Sequence, residues 1–461
     1  MSQSSSPQPA PGEPAPGRPP SRQPTSRLIA YAGPGVPVAA TGLPLIVFLP
    51  PFYAGEMGLD LAAVGLMFGT VRAIDTLFDP VVGYWADNTR SRFGRFKPWI
   101  ALGAILVFLA SALLFFPPDD AGLLWLLGGL VVMYAGQSFL NVPHLGWGAT
   151  ISPDYDERSR IYGFWQAGHM VGLIAVLLLP AILSLLMGAE APPAVTAMGW
   201  FILAITPFTV LAALLFVPRS RANLSKARLR WADLQRIFGD PSLRLLLIAD
   251  ISVNLAAGST GTLFRFFFEG ARGFSDIESS LGLLVYFIIG LVMLPLWLRL
   301  AKRIGKARTG AFAALYGAIA HVIAFFLFDA SRPYVSLAAI CMAGVGYAAP
   351  LFLLRAMLAD HGDVEREAGG IDRSGLLNAV LTTAQKLGYV LPVAVLFPLL
   401  ALFGYDPAPG APKDAGAIAA LEMLYLLCVP LLLVPAIWLQ FRYRADQRRH
   451  AASGAAGNPL S

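Results

Sequence analysis

Apolar runs, each long enough to form a helix that crosses a bilayer, recur along the chain with short polar stretches between them. A hydrocarbon core of ~30 Å takes about twenty helical residues. Runs of this kind fall at 28–53, 61–86, 97–117, 121–148, 161–187, 197–217, 243–268, 278–300, 306–328, 333–359, 374–404 and 416–442. The pattern predicts an all-α membrane protein of twelve spans. The stretch from Arg219 to Asp240 is the longest polar connection between runs. The expected organisation is therefore a six-helix bundle over 28–218, a linker over 219–242 and a second six-helix bundle over 243–442. Residues 1–27, rich in Ser, Pro and Gly, lack the apolar core of a signal peptide and read as a disordered tail. Residues 443–461 form the second tail.

The halves echo each other. Pro80, Ala86 and the basic turn ending near Arg95 correspond to Pro295, Ala301 and the basic turn ending near Arg308. The polar loop Ser152–Arg160 corresponds in the same way to the stretch from Ala359 through Arg373. Such echoes fit two bundles related by an axis along the membrane normal, with a solute site between them near the midplane.

Composition agrees with the pattern, since 56% of the 461 residues are hydrophobic and only 13% are charged. The net charge of +6 is not gathered into one patch, so no nucleic-acid partner is expected. Basic residues instead follow the even-numbered runs, as in Arg90, Arg92, Arg95 and Lys97, in Arg219–Arg230, and in Arg299–Arg308. By the positive-inside rule these loops and both termini are cytoplasmic, which places the chain in a bacterial-type inner membrane. Cys341 and Cys428 lie within apolar runs without metal-ligand spacing and read as packing residues. No Gly-x-Ser-x-Gly elbow and no His-Glu-x-x-His run is present, so an enzyme is not expected, and no cofactor is implied.

Charges inside the runs carry the chemistry. Asp75 and Asp79 are four apart and stack on one helix face, with Arg72 three residues before Asp75 on that face. An ionised group at membrane depth costs at least ~2.5 kcal/mol, so these side chains should face a wet cavity or each other. Two carboxylates ~6 Å apart at an effective dielectric of ~20 repel by about 3 kcal/mol. A bound cation or a shared proton would relieve that repulsion; a static ion-pair cluster with Arg72 is the alternative. Asp79 precedes Pro80, where it could also satisfy backbone groups freed by a kink. Lys386 lies too deep in the eleventh run to reach either interface and needs an anionic partner, for which the second-span carboxylates are the candidates. Gln385 and Gln137 are weaker candidates, being mid-span amides suited to interhelical hydrogen bonds. His144, His169 and His321 read as packed, hydrogen-bonded residues. Asp87, Arg92 and Arg95, at the end of the second span, either hold topology or form a cytoplasmic gate.

At these residues the sequence resembles the glycoside-pentoside-hexuronide:cation symporters, the melibiose-carrier-like branch of the major facilitator superfamily. The resemblance runs over residues 28–442 and is most specific in Asp75-x-x-x-Asp79-Pro80-x-x-Gly83 through Asn88-Thr-Arg-Ser-Arg-Phe-Gly-Arg-Phe-Lys-Pro-Trp-Ile100. Asp154–Arg160 and the Gly375–Gly388 segment with Lys386 support it. It implies the major facilitator fold. It also implies a site for Na⁺ or H⁺ at Asp75 and Asp79, so that these two carboxylates are the metal ligands if the ion is Na⁺, with Lys386 beside them. The sequence departs from the family's sugar carriers in three places. Their first-span acid corresponds to the apolar Val36–Ala39, their fourth-span acid to Asn141, and a fifth-span arginine falls near Trp165 and Gln166.

The expected function is secondary symport of a small solute with Na⁺ or H⁺ by alternating access. Asp75, Asp79 and Asn141 are the expected cation site, and Arg72, Lys386, Trp147, Trp165, Gln137 and Tyr31 the expected solute site. The expected partners are a sugar or related solute and membrane lipid, with the protein acting as a monomer. The alternatives are an H⁺-coupled carrier or exporter of an amphipathic solute, and a membrane sensor that does not transport.

Overall fold

The computed structural model describes residues 22–152, 155–219, 239–367, 374–408, 411 and 414–442. Twelve helices among them are long and apolar enough to cross a membrane. They are α1 (Thr25–Val47), α2 (Leu61–Asn88), α3 (Lys97–Phe115), α4 (Leu123–Ile151), α5 (Tyr155–Met187), α6 (Ala194–Phe216), α7 (Pro241–Ala271), α8 (Asp276–Ile304), α9 (Lys306–Leu327), α10 (Pro333–Glu367), α11 (Ser374–Leu402) and α12 (Ala415–Arg442). Their outer faces are apolar: Leu77, Leu124, Leu185, Phe208, Phe326 and Leu402 are all largely exposed. Such a surface is stable only against lipid, and in lipid each backbone polar group must be bonded within the helix.

Two spans differ from the continuous helices the apolar pattern predicts. The first is broken into Thr25–Ala32, Gly35–Gly42, Pro44–Val47 and Leu49–Pro51, then ends in a π-helical turn over Phe52–Glu56. Pro34, Pro37, Pro44, Pro50 and Pro51 each remove a backbone donor, so the ladder cannot run through them. Two of the freed carbonyls are taken up by tighter turns, Ala30 O accepting from Gly33 N at 3.2 Å and Gly33 O from Val36 N at 3.0 Å. The tenth span breaks at Gly346 and Tyr347, between Pro333–Val345 and Ala348–Glu367, because Pro350 lacks the N–H that Gly346 O would accept. The carbonyls left at that break find side-chain donors: Tyr316 Oη donates to Met342 O at 3.0 Å, and Trp297 Nε1 to Val345 O at 2.8 Å.

The expected tail also ends earlier than residue 27. Arg160 Nη2 donates to Thr25 Oγ1 at 2.9 Å and Arg160 Nη1 to Gln23 O at 3.0 Å, pinning the start of α1 to α5. Residues 1–21 and 443–461, and most of the expected linker, lie outside the described residues.

Within the N-terminal half α3 packs on α4 and α6, and α2 on α4; within the C-terminal half α7 packs on α11 and α12, and α9 on α12. The most extensive contacts between halves are α2 with α11 and α5 with α8. These two pairs exchange when each helix is advanced by six, and the internal prolines Pro80 and Pro295 occupy α2 and α8 correspondingly. Alpha-carbon approach between α2 and α11 is very close, since a Cβ on Gly69 would collide with Ala394 Cβ. The close approaches between halves continue toward the membrane side opposite the chain ends. There Gly55 meets the carbonyl of Pro407, and the Arg265 guanidinium lies 5.1 Å over the Phe48 ring.

Candidate functional site

Helix α2 starts where Asp60 caps it, Oδ1 accepting from Ala63 N at 2.7 Å. The resulting register puts Asp75 and Asp79 toward α4 and α11. Asp75 is only 4% exposed. Lys386 Nζ, from α11 in the other half, lies 2.7 Å from Asp75 Oδ2 and 2.6 Å from Asp79 Oδ2. Arg72 Nη1 is further from Asp75 Oδ2, at 3.4 Å, and its guanidinium lies 4.8 Å over the Tyr134 ring. One ammonium therefore clamps both carboxylates, and the clamp spans the two halves.

Ser138 of α4, a residue the sequence does not single out, completes the cluster. Its Oγ lies 2.6 Å from both Asp75 Oδ1 and Asp79 Oδ1. A hydroxyl carries a single proton and can donate to only one of these carboxylates. The second contact is favourable when the other carboxyl is protonated and donates to Ser138 Oγ. Asp75 Oδ1, Asp79 Oδ1 and Ser138 Oγ thus converge as three oxygens of a kind that suits a hard cation.

Asn141 stands one turn beyond Ser138 on α4, and its buried Oδ1 has no hydrogen-bond partner among the described residues. Gln137 Nε2 donates to Thr41 Oγ1 at 2.7 Å, tying α4 to the broken α1. Trp165 packs tilted against His169 with ring centroids 4.1 Å apart, and its buried Nε1 has no partner among the described residues.

Trp147 and Tyr31, expected at the solute site, are both fully buried in this conformation. Trp147 Nε1 donates to Pro218 O at 3.0 Å, and Tyr31 Oη donates to His144 O at 3.0 Å. An aromatic ring that fills a helix–helix seam and satisfies its own polar tip is a packing residue. His144, also buried, bonds Tyr31 O through Nε2 at 2.7 Å. His321 bonds Tyr425 O at 2.8 Å, and His169 bonds Trp165 O at 3.0 Å.

The expected gate residues stay within the N-terminal half. Arg95 Nη1 reaches Asp87 Oδ1 at 4.0 Å and lies over Phe96, while Arg92 lies over Phe93. The opposing loop at 368–373 lies outside the described residues.

Three polar groups in the C-terminal half escaped the sequence reading or were underweighted by it. Asp250 of α7 is buried and accepts from Asn254 Nδ2 at 3.0 Å. Arg355 of α10 is exposed and donates to Gln385 Oε1. Gln385 is the neighbour of Lys386, so this network abuts the carboxylate cluster. The signal was available, because both Asp250 and Arg355 interrupt apolar runs.

This arrangement of twelve helices, paired by a six-helix repeat around a buried ionic cluster, defines a transporter of the major facilitator type. The chain belongs to the MFS/sugar transport protein family, whose model matches residues 30–447, and within it to the glycoside-pentoside-hexuronide:cation symporters. It is similar to the uncharacterized symporter YnaJ of Bacillus subtilis (28% identical, covering 87% of each chain). It is also similar to two proteins of Escherichia coli. One is the inner membrane symporter YicJ, at 24% identity over 80% of this chain and 81% of that protein; the other is the glucuronide carrier protein homolog, at 23% over 78% and 79%. Among solved structures, a bacterial homologue of the human lysosomal transporter Spinster, inward-facing and occupied, shares the fold with a TM-score of 0.67. The match is 16% identical and covers 92% of this chain and 96% of that one.

Proposed function

We propose that the protein is a cation:solute symporter in which Na⁺ or H⁺ competes with Lys386 for the Asp75–Asp79 pair. The observation that carries this reading is the double contact of Lys386 Nζ with both carboxylates across the interface between halves. A cation or proton on the pair removes the reason for Lys386 to stay, because a neutralised pair no longer holds an ammonium. Freed from the clamp, α2 and α11 can separate, and the carrier rocks with cation and solute aboard. In the empty carrier Lys386 itself compensates the pair, so no uncompensated charge is left at membrane depth. The half-loaded carrier carries an uncompensated charge, which is costly at membrane depth and blocks the transition. Coupling follows from that one electrostatic condition.

Ser138, and Asn141 with its unpartnered oxygen, supply neutral ligands beside the carboxylates. Gln137, Trp165 and Arg72 are the residues we assign to solute contact from the N-terminal half. With both termini in the cytoplasm, as the basic loops indicate, the conformation here is closed on the outer side. The test is uptake into proteoliposomes of radiolabelled glycosides, pentoses and hexuronates under an imposed Na⁺ or H⁺ gradient. Accumulation driven by one gradient and lost in both Asp75→Asn and Asp79→Asn is the expected result. Facilitated movement indifferent to the gradients and to both substitutions would make the pair structural and end this reading.

A further inference from the structure

Inside the C-terminal half, away from the carboxylate cluster, helices α7, α8, α9, α10 and α12 enclose a cavity whose lining is mainly apolar, with Phe264, Phe268, Tyr286, Tyr347 and Tyr425 among its walls. Small residues on facing helices, Ala257 and Gly317 among them, leave the space open. A bundle core normally fills such space with side chains, because protein interiors pack like organic crystals.

The polar network of the same half stands at one end of this cavity. Val253 and Leu351 line it, and Asp250 and Arg355 lie one helical turn from them on α7 and α10. The two helices run in opposite directions, so both steps lead toward the membrane side that holds the chain ends. Arg355 is near enough to Asp250 to act on its charge, yet it makes no ion pair among the described residues. Among the described residues its one side-chain hydrogen bond goes to Gln385 Oε1, which takes one of the guanidinium's five donors. One turn beyond Gln385 on the same helix, Tyr389 lies near Tyr347 of the cavity wall. An exposed, forked donor thus stands one helical turn beyond one end of an apolar chamber.

Charge points the same way. Asp75, Asp79 and Asp250 balance Arg72, Lys386 and Arg355 when all are ionised, so one coupling cation leaves the centre with one positive charge in excess. A singly negative solute restores neutrality, the state that crosses hydrocarbon at least cost.

We infer that the C-terminal half holds a binding site for an amphipathic organic anion, with its carboxylate on Arg355 and its apolar body in the cavity. Arg355 is the specificity-determining residue, and Asp250 and Gln385 position it. This assigns a solute class to the symport reading above and rests on it for transport, though not for binding.

Equilibrium binding to the purified full chain in lipid nanodiscs tests the site with hydrocinnamate, its uncharged amide and acetate as probes. Wild type is expected to bind hydrocinnamate saturably, and the amide and acetate each at least about tenfold more weakly. Arg355→Gln should weaken hydrocinnamate by about tenfold or more and leave the amide unchanged, with Arg355→Lys recovering part of the loss. Gly317→Leu should block hydrocinnamate, since a Cβ there meets nothing nearer than Leu433 Cδ1 at 4.0 Å and the added side chain enters the cavity. No saturable binding to wild type, equal binding of acid and amide, or insensitivity to Arg355→Gln or Gly317→Leu would each overturn the site. Should a variant fail to fold, the comparison of acid with amide on wild type still decides. No ion gradient enters this measurement, so loss of the symport reading in the Asp75 and Asp79 variants and loss of this one are separate results.

Discussion

At the residue scale the ionic cluster was legible because a charge in an apolar helix is rare and needs a partner. Asp75, Asp79 and Lys386 declared themselves on that ground, and their mutual contact follows from the cost of leaving any of them alone. Ser138 did not. Hydroxyls in apolar helices usually bond their own backbone, as Ser111 does to Val107 O at 2.7 Å and Ser252 to Ile248 O at 2.8 Å. Nothing in the sequence separates Ser138 from these. Trp147 and Tyr31 carry no clear signal either, since an aromatic with a polar tip suits a cavity wall and a packed seam equally. Ser138→Ala removes a bond to a charged group worth about 1.5–3 kcal/mol, so we expect coupling-ion affinity to fall by about ten- to a hundredfold. Half-maximal activation of solute counterflow by Na⁺ or H⁺ measures it, and an unchanged value would remove Ser138 from the site.

At the scale of elements, the alternation of long apolar runs and short loops located all twelve spans, whereas the breaks in α1 and α10 depended on how neighbours rescue freed backbone groups. Pro37 and Pro350 were visible, but prolines inside α2, α4 and α5 leave those helices continuous. Closure at the side opposite the chain ends rests on two features. One is the Gly69–Ala394 approach. The other is Arg265, 7% exposed, whose guanidinium bonds Glu269 at 2.7 Å and Asp276 at 2.6 Å while covering Phe48 of the other half. The contact with Phe48 is the part of this cluster that joins the two halves, and a desolvated cation–π contact contributes about 2 kcal/mol. Arg265→Met should therefore favour the conformation open on this side. The reaction rate of a cysteine placed at Val47 with a membrane-impermeant thiol reagent, in a background lacking Cys341 and Cys428, should rise by at least about tenfold. Equal rates would show that Arg265 does not bias the equilibrium. Gly69→Leu should act in the same direction, because its side chain cannot fit against Ala394.

At the scale of the whole molecule, the loop charges predict that both chain ends face the cytoplasm. A reporter fused after Ser461 that is active only in the cytoplasm should be active, and the same reporter placed after Asp119 should be silent. The reverse result would invert the sidedness of every conformational statement above. By itself the sequence determined that the chain lies in the membrane, how many times it crosses, that it is built from two similar halves, and which ionised residues needed partners. Those properties follow from hydrocarbon solvation, which acts on each segment alone and leaves its mark in local composition. Tertiary structure alone decided that one ammonium bridges both carboxylates, that Ser138 joins them, that Trp147 and Tyr31 are sealed in a seam, and that Asp250 and Arg355 stand one helical turn from the lining of an apolar chamber. These depend on which faces of distant helices meet, and a contact between residues 311 positions apart leaves no local trace.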